Sequence, residues 1–154
     1  MATLYSNQKT KWSQNVPSEK IDTNELGGRI RVAFADITLA SASIGDVIEL
    51  VNLPNGSRII DGYLTNAALG GSTTLSVGNA AYKNAAGTVV NAAAASYLAA
   101  TATSSAARTD AFATIALGAG SVVNANEDGL PITATLAGGA ASGVVQIAVR
   151  YVVD

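Results

Sequence analysis

The side chains that most often carry chemistry are absent or scattered in this sequence. It contains no histidine and no cysteine. That removes the commonest general base, the commonest metal ligand and the thiol nucleophile together. Eleven acids remain, Asp36, Asp46, Glu49, Asp61, Glu127 and Asp128 among them, spread singly through turns and alternating segments. A hydrolytic pair needs two carboxylates converging in one cleft, and no spacing here sets up such a pair. A serine nucleophile would need a base. Lys83 is the single lysine beyond residue 27, and no Gly-x-Ser-x-Gly elbow occurs. No enzymatic activity is expected, and no cofactor.

Three further segments invite a site and fall short of one. Asn124-Ala-Asn-Glu-Asp-Gly129 is rich in oxygen ligands. It lacks the alternating acid spacing and distal Glu of a calcium loop, so a solvated turn is expected and no metal. Gly138-Gly-Ala-Ala-Ser-Gly143 has no lysine and no helix after it, so it reads as a hairpin loop rather than a phosphate cradle. Asn55-Gly56-Ser57 matches a glycosylation sequon, but the N-terminus shows no basic and apolar leader, so no signal peptide is expected. Arg29, Arg31, Arg58 and Arg150 lack the further bases and stacking aromatics of a nucleic-acid surface; ordinary ion pairs with Asp36, Glu49, Asp61 or a neighbouring subunit are expected.

The elements that would position any of these residues follow from composition and patterning. A chain of 154 residues suits one domain. About a fifth is alanine, 15 residues are glycine, 5% are aromatic and only 13% are charged. The charged share is about half that of an ordinary domain, which predicts a largely neutral surface suited to lying against other protein. A net charge of −2 gives no long-range attraction to nucleic acid or to an anionic membrane. The longest uncharged run, 84–107, is too poor in Leu, Ile and Phe for a membrane span.

Residues 1–27 stand apart. They hold Lys9, Lys11 and Lys20, three of the four lysines, with Trp12, the only tryptophan. Apolar residues repeat there at neither 2 nor 3.6 spacing, so the segment reads either as a frayed terminus or as an arm that orders on a partner. From residue 28 to 154 the pattern is that of strands. Ile30, Val32 and Phe34 share one face of a first strand and Arg29 and Arg31 the other. Asp46–Leu53 is more apolar and is expected to be covered on both faces over part of its length. Pro54-Asn55-Gly56 is a strong turn signal. Strands are then expected over 58–65, 73–77, 110–117, 121–124, 130–136 and 144–153. Residues 78–105 leave a short helix around Ala92–Ala95 or a long ordered loop both open. About eight strands, glycine-rich turns and no helical periodicity give an all-β antiparallel sandwich, with eight strands favouring a jelly roll.

Asn24-Glu-Leu-Gly-Gly-Arg-Ile-Arg-Val-Ala33, Gly45–Leu64, Gly70–Asn79 and the ending Ala148-Val-Arg-Tyr-Val-Val-Asp154 resemble small tailed-bacteriophage virion proteins described as head decoration or cement proteins. The resemblance covers 1–82 and 143–154. It implies a jelly-roll-like sandwich and a position on the exterior of the phage head, after synthesis in the host cytoplasm. It also implies two partners, the major capsid protein and further copies of the same chain, as a trimer or else a dimer. The arm would thread between capsomers, with Leu4, Tyr5 and Trp12 as anchors and Lys9, Lys11 and Lys20 meeting acidic surface. Neither nucleic acid nor membrane is implied as a partner. The reading from another class is a binding module: a head-fibre base, a tail component or a surface adhesin.

Overall fold

A computed structural model describes Lys9, Lys11, residues 28–113 and residues 121–153. The described body consists of eleven strands. Eight of them build two sheets: β1 (Ile30–Ala42), β2 (Val47–Leu53), β3 (Arg58–Asn66), β4 (Thr74–Asn79), β7 (Ala93–Ala102), β8 (Ala107–Asp110), β10 (Leu130–Ala137) and β11 (Ala141–Val152). The others are two-residue strands: β5 (Tyr82–Lys83) and β6 (Val89–Val90) form a small hairpin, and β9 (Ser121–Val122) pairs with the start of β3. One sheet runs β1-β11-β3-β8 and the other β2-β10-β4-β7, every pair antiparallel. Counting only the eight main strands, first-eighth-third-sixth faces second-seventh-fourth-fifth. That alternation between sheets is the winding of a jelly roll.

The two inner faces supply the core. Val145, Ile147 and Val149 of β11, Ile59 and Leu64 of β3, and Leu75, Val77, Ile132, Ala134 and Leu136 of the other sheet are all at most 1% exposed. Val145, Ile147 and Val149 thus share the inward face as expected, although Ala148 and Val152 are buried as well and Val153 lies past the strand, and β11 is paired on both edges as so apolar a strand must be. The Pro54-Asn55-Gly56 turn also forms. Gly56 has φ of 75°, the Ser57 hydroxyl donates to the Pro54 carbonyl at 2.7 Å, and Gly56 N donates to Val123 O at 2.9 Å.

The faces of β1 are assigned, and three local expectations are corrected. Strand β1 alternates as read, but Ile30, Val32 and Phe34 point outward while Ala33, Ala35 and Ile37 pack against the core. The pairing decides this: Ala33, Ala35 and Ile37 lie opposite Val149, Ile147 and Val145, the inward residues of β11. Strand β2 alternates between buried and exposed residues, and the strand covered on both faces is β4, buried from Leu75 to Asn79. The alanine cluster forms strand β7 rather than helix or loop, because β4 needs a backbone partner on that side. The strand expected over 110–117 is β8 and lies earlier; residues 114–120 fall outside the described residues.

Candidate interaction surfaces

Outward side chains of the β1-β11-β3-β8 sheet form cross-strand rows. Phe34 lies opposite Ala148, which lies opposite Tyr63, which lies opposite Asp110. In the next row Val32 lies opposite Arg150 and Arg150 opposite Asp61. Arg150 Nε and Nη2 donate to the two carboxylate oxygens of Asp61, the planar two-point pairing that guanidinium favours. That hydrogen bonding, followed by the charge of Asp61, pushes the Arg150 pKa up. Of the ion pairs expected from sequence, Arg150 with Asp61 is thus present. Arg108 stacks over Tyr63 with 3.6 Å between its guanidinium carbon and the ring centroid. These residues rim a shallow depression of about 260 Å³. Asp61, Arg150 and Arg108 are already paired or stacked there, so the depression reads as a polar surface.

At the edge of the same sheet, Ile30, Val32 and Phe34 are 61%, 58% and 59% exposed. Their spacing of two puts all three on one face of β1. Three large apolar side chains in a row on an edge strand depart from ordinary protein surface.

The opposite sheet borders an open cleft of about 450 Å³ whose polar lining includes Glu49, Asn52, Tyr82, Lys83, Asn126 and Asp128. The turn expected at Asn124–Gly129 forms one wall and closes on itself. Asn126 Nδ2 donates to Asp128 at 2.7 Å, Asp128 N to Asn126 Oδ1 at 3.2 Å, and Gly129 N to the Asn126 carbonyl at 3.1 Å. Asn126 N donates to Lys83 O at 2.8 Å, tying the turn to the β5–β6 hairpin. The Asn126 side-chain and backbone oxygens and one Asp128 carboxylate oxygen are thus engaged in turn bonds. Among the described residues no three acids gather at metal-ligand spacing.

Buried polar groups serve the fold. Asn66 Nδ2 donates to the carbonyls of Ala67 and Ser105 at 2.7 and 2.9 Å, and Thr103 donates to Thr73 at 3.0 Å. These bonds hold the chain after β3 and the ends of β4 and β7. The Tyr97 ring lies 4.8 Å from that of Phe112, and burial, with a smaller contribution from Tyr82, pushes its phenol up to about 12.

Of the arm residues singled out from sequence, Lys9 is exposed and Lys11 half-buried, both on helical backbone. Leu4, Tyr5, Trp12 and Lys20 lie outside the described residues. Sequence reading missed the exposed stripe: Ile30, Val32 and Phe34 were visible as one face, but assignment of that face needed the pairing with β11. Among the described residues no helix is long and apolar enough to cross a membrane.

No family model matches the chain, and neither does any curated protein. Solved structures do match. A chain of the cyanophage Pam1 capsid asymmetric unit superposes with a TM-score of 0.59 at 19% identity, over 92% of this chain and 99% of that one. A chain of the Ralstonia phage GP4 capsid gives a TM-score of 0.59 at 25% identity, over 82% of this chain and 86% of that one. The fold is shared with chains of two phage capsids. The likeness spans nearly the whole of each partner, so it concerns the complete jelly roll and not a common fragment. It supports a structural protein of the phage virion.

Proposed function

We propose that this chain is a capsid decoration protein: a non-enzymatic virion component that binds the outer surface of the major capsid protein shell and stabilises it. The observation that carries the reading is the end-to-end likeness to chains of two phage capsids. The chemistry agrees with it. The described acids do not cluster, and charged residues are few, as suits a surface meant to be covered. The small side chains point the same way, since alanine buries little apolar area and assembly then contributes part of the stability. Self-association as a trimer, with a dimer as the second form, follows from this reading.

The arm is the proposed capsid contact. Residues 1–27 fully extended would reach about 90 Å, far enough to leave one sandwich and engage a neighbouring capsomer. Tyr5 and Trp12, with Leu4, would supply most of the affinity, since binding energy concentrates in such residues. Lys9, Lys11 and Lys20 would add specificity and salt dependence.

The test is binding of purified variants to shells stripped of this protein. Deleting residues 1–24 is expected to leave the body folded and to weaken binding at least tenfold. Trp12→Ala alone should reproduce much of that loss. Full-strength binding by the truncated chain would overturn the role of the arm. Failure of the wild-type chain to bind stripped shells, or a handful of copies per particle in place of hundreds, would overturn decoration itself.

A further inference from the structure

Strand β1 is thirteen residues long and, among the described residues, hydrogen-bonds to β11 along one side and to no strand along the other. Sheets ordinarily protect such an edge by keeping it short, by Pro or Lys, or by a bulge. Here the irregularity comes only after Leu39, and residues 30–38 present an unbroken open edge beside the exposed Ile30, Val32 and Phe34. Apolar face and open edge coincide. We propose that this edge pairs antiparallel with the same strand of a second copy, about a two-fold axis at Val32, joining the two sheets into one continuous sheet.

The sequence of the strand selects both the occupant and the register. With Val32 opposite Val32 of the second copy, Ile30 meets Phe34 and Phe34 meets Ile30, so every member of the stripe covers an apolar partner. On the other face Arg31 meets Ala33 and Arg29 meets Ala35, so each guanidinium has a small neighbour and no like charge opposite it. A shift of two residues one way sets Arg31 against Arg31; the same shift the other way sets Ile30 against Asp36 at both ends. A shift of one would place the stripe of one copy against the inward face of the other. A two-fold contact uses one patch twice, and this patch is complementary to itself. One strand pair buries well under the ~1,200 Å² of stable complexes. The contact is therefore reversible in free solution and gains from the high local concentration of a shell. It goes beyond the decoration reading and is tested on the free chain, so it can fail while that reading stands.

The absence of native cysteine makes the register directly testable. Residues directly opposite in antiparallel strands have Cα atoms about 4.5–5.5 Å apart, inside the range a disulfide spans. Full-length Val32→Cys, oxidised with copper phenanthroline at micromolar concentration, is expected to give a covalent dimer on a non-reducing gel. Ile30→Cys and Phe34→Cys should stay largely monomeric alone and crosslink when mixed. Thr38→Cys, exposed on the same face, should not crosslink. In sedimentation equilibrium, Val32→Lys should weaken self-association at least tenfold without lowering the melting temperature, since the side chain is not in the core. Crosslinking of Thr38→Cys as efficiently as Val32→Cys would overturn the proposal. So would Val32→Cys that remains monomeric, or that crosslinks only to a cysteine of the shell subunit on the particle.

Discussion

Gly78 shows how a single residue can decide whether two strands meet. A Cβ added there would stand 1.8 Å from the carbonyl oxygen of Ala93, with further Ala93 and Ala94 backbone atoms inside 3 Å. The obstacle is backbone, which cannot swing aside as a side chain can. Gly78→Ala is therefore expected to push β7 off β4 and to destabilise the body by about 3 kcal/mol or more, read from urea denaturation. A melting curve like the wild type's would show that β7 packs elsewhere. Nothing in the sequence marked this glycine as a strand contact, since it opens the segment 78–105, where a short helix and a long ordered loop were both open. Tyr97 is similar: its half-buried place against Phe112 follows from β7 being a strand at all. Its phenol titrates near 12 when folded and near 10 in the unfolded chain. The unfolded state then loses its proton first, so Tyr97 contributes stability below pH 10 that is lost as pH rises from about 10 to about 12. Tyr97→Phe should flatten the fall in stability across that window. An unchanged slope in the variant would assign the alkaline loss to other groups.

At the scale of elements, legibility depended on how large the inward side chains are. Strand β11 was readable because Val145, Ile147 and Val149 are big, alternate without a break and are all fully buried. Val149→Asp places an unpaired charge among them and is expected to cost several kcal/mol, seen as loss of cooperative unfolding or of soluble protein. Wild-type melting would be incompatible with an inward Val149. The faces of strand β1 were not assignable from sequence, for the opposite reason. In its first half the large residues are the outward ones, and the inward face carries Ala33 and Ala35 opposite Val149 and Ile147 of β11. Period two tells which residues share a face but not which face is inside; a partner strand supplies that. Strand β7 opens with three consecutive alanines, Ala93 to Ala95, good helix formers, yet hydrogen-bonds to β4 as a strand. Local propensity of a few tenths of a kcal/mol per residue yields there to the need of β4 for a backbone partner. The jelly roll itself was legible from strand count and turn glycines. The order in which strands alternate between sheets was not, because long-range pairing leaves no local mark.

For the whole molecule, low charge and small side chains come together with a long open edge on β1 and an N-terminal segment that holds three of the four lysines and the only tryptophan. Small side chains and an open edge are weaknesses of an isolated chain that become useful when the chain is covered. A protein that binds an intact shell but not its separated subunits stabilises the shell by mass action, by RT ln(1 + [L]/Kd) for each site. At a free concentration 100 times Kd that amounts to about 2.7 kcal/mol per site, multiplied over many sites on one particle. Stripped shells titrated with this protein should accordingly disrupt at progressively higher temperature, with the midpoint still rising after the sites are nearly full. High salt should reduce the gain if Lys9, Lys11 and Lys20 meet acidic surface, because exposed charges are screened within about 10 Å at 0.1 M. The chain lacking residues 1–24 should require much higher concentration for the same shift. Light scattering of heated particles reads all three. A disruption temperature independent of added protein would mean that the chain rides on the particle without holding it together.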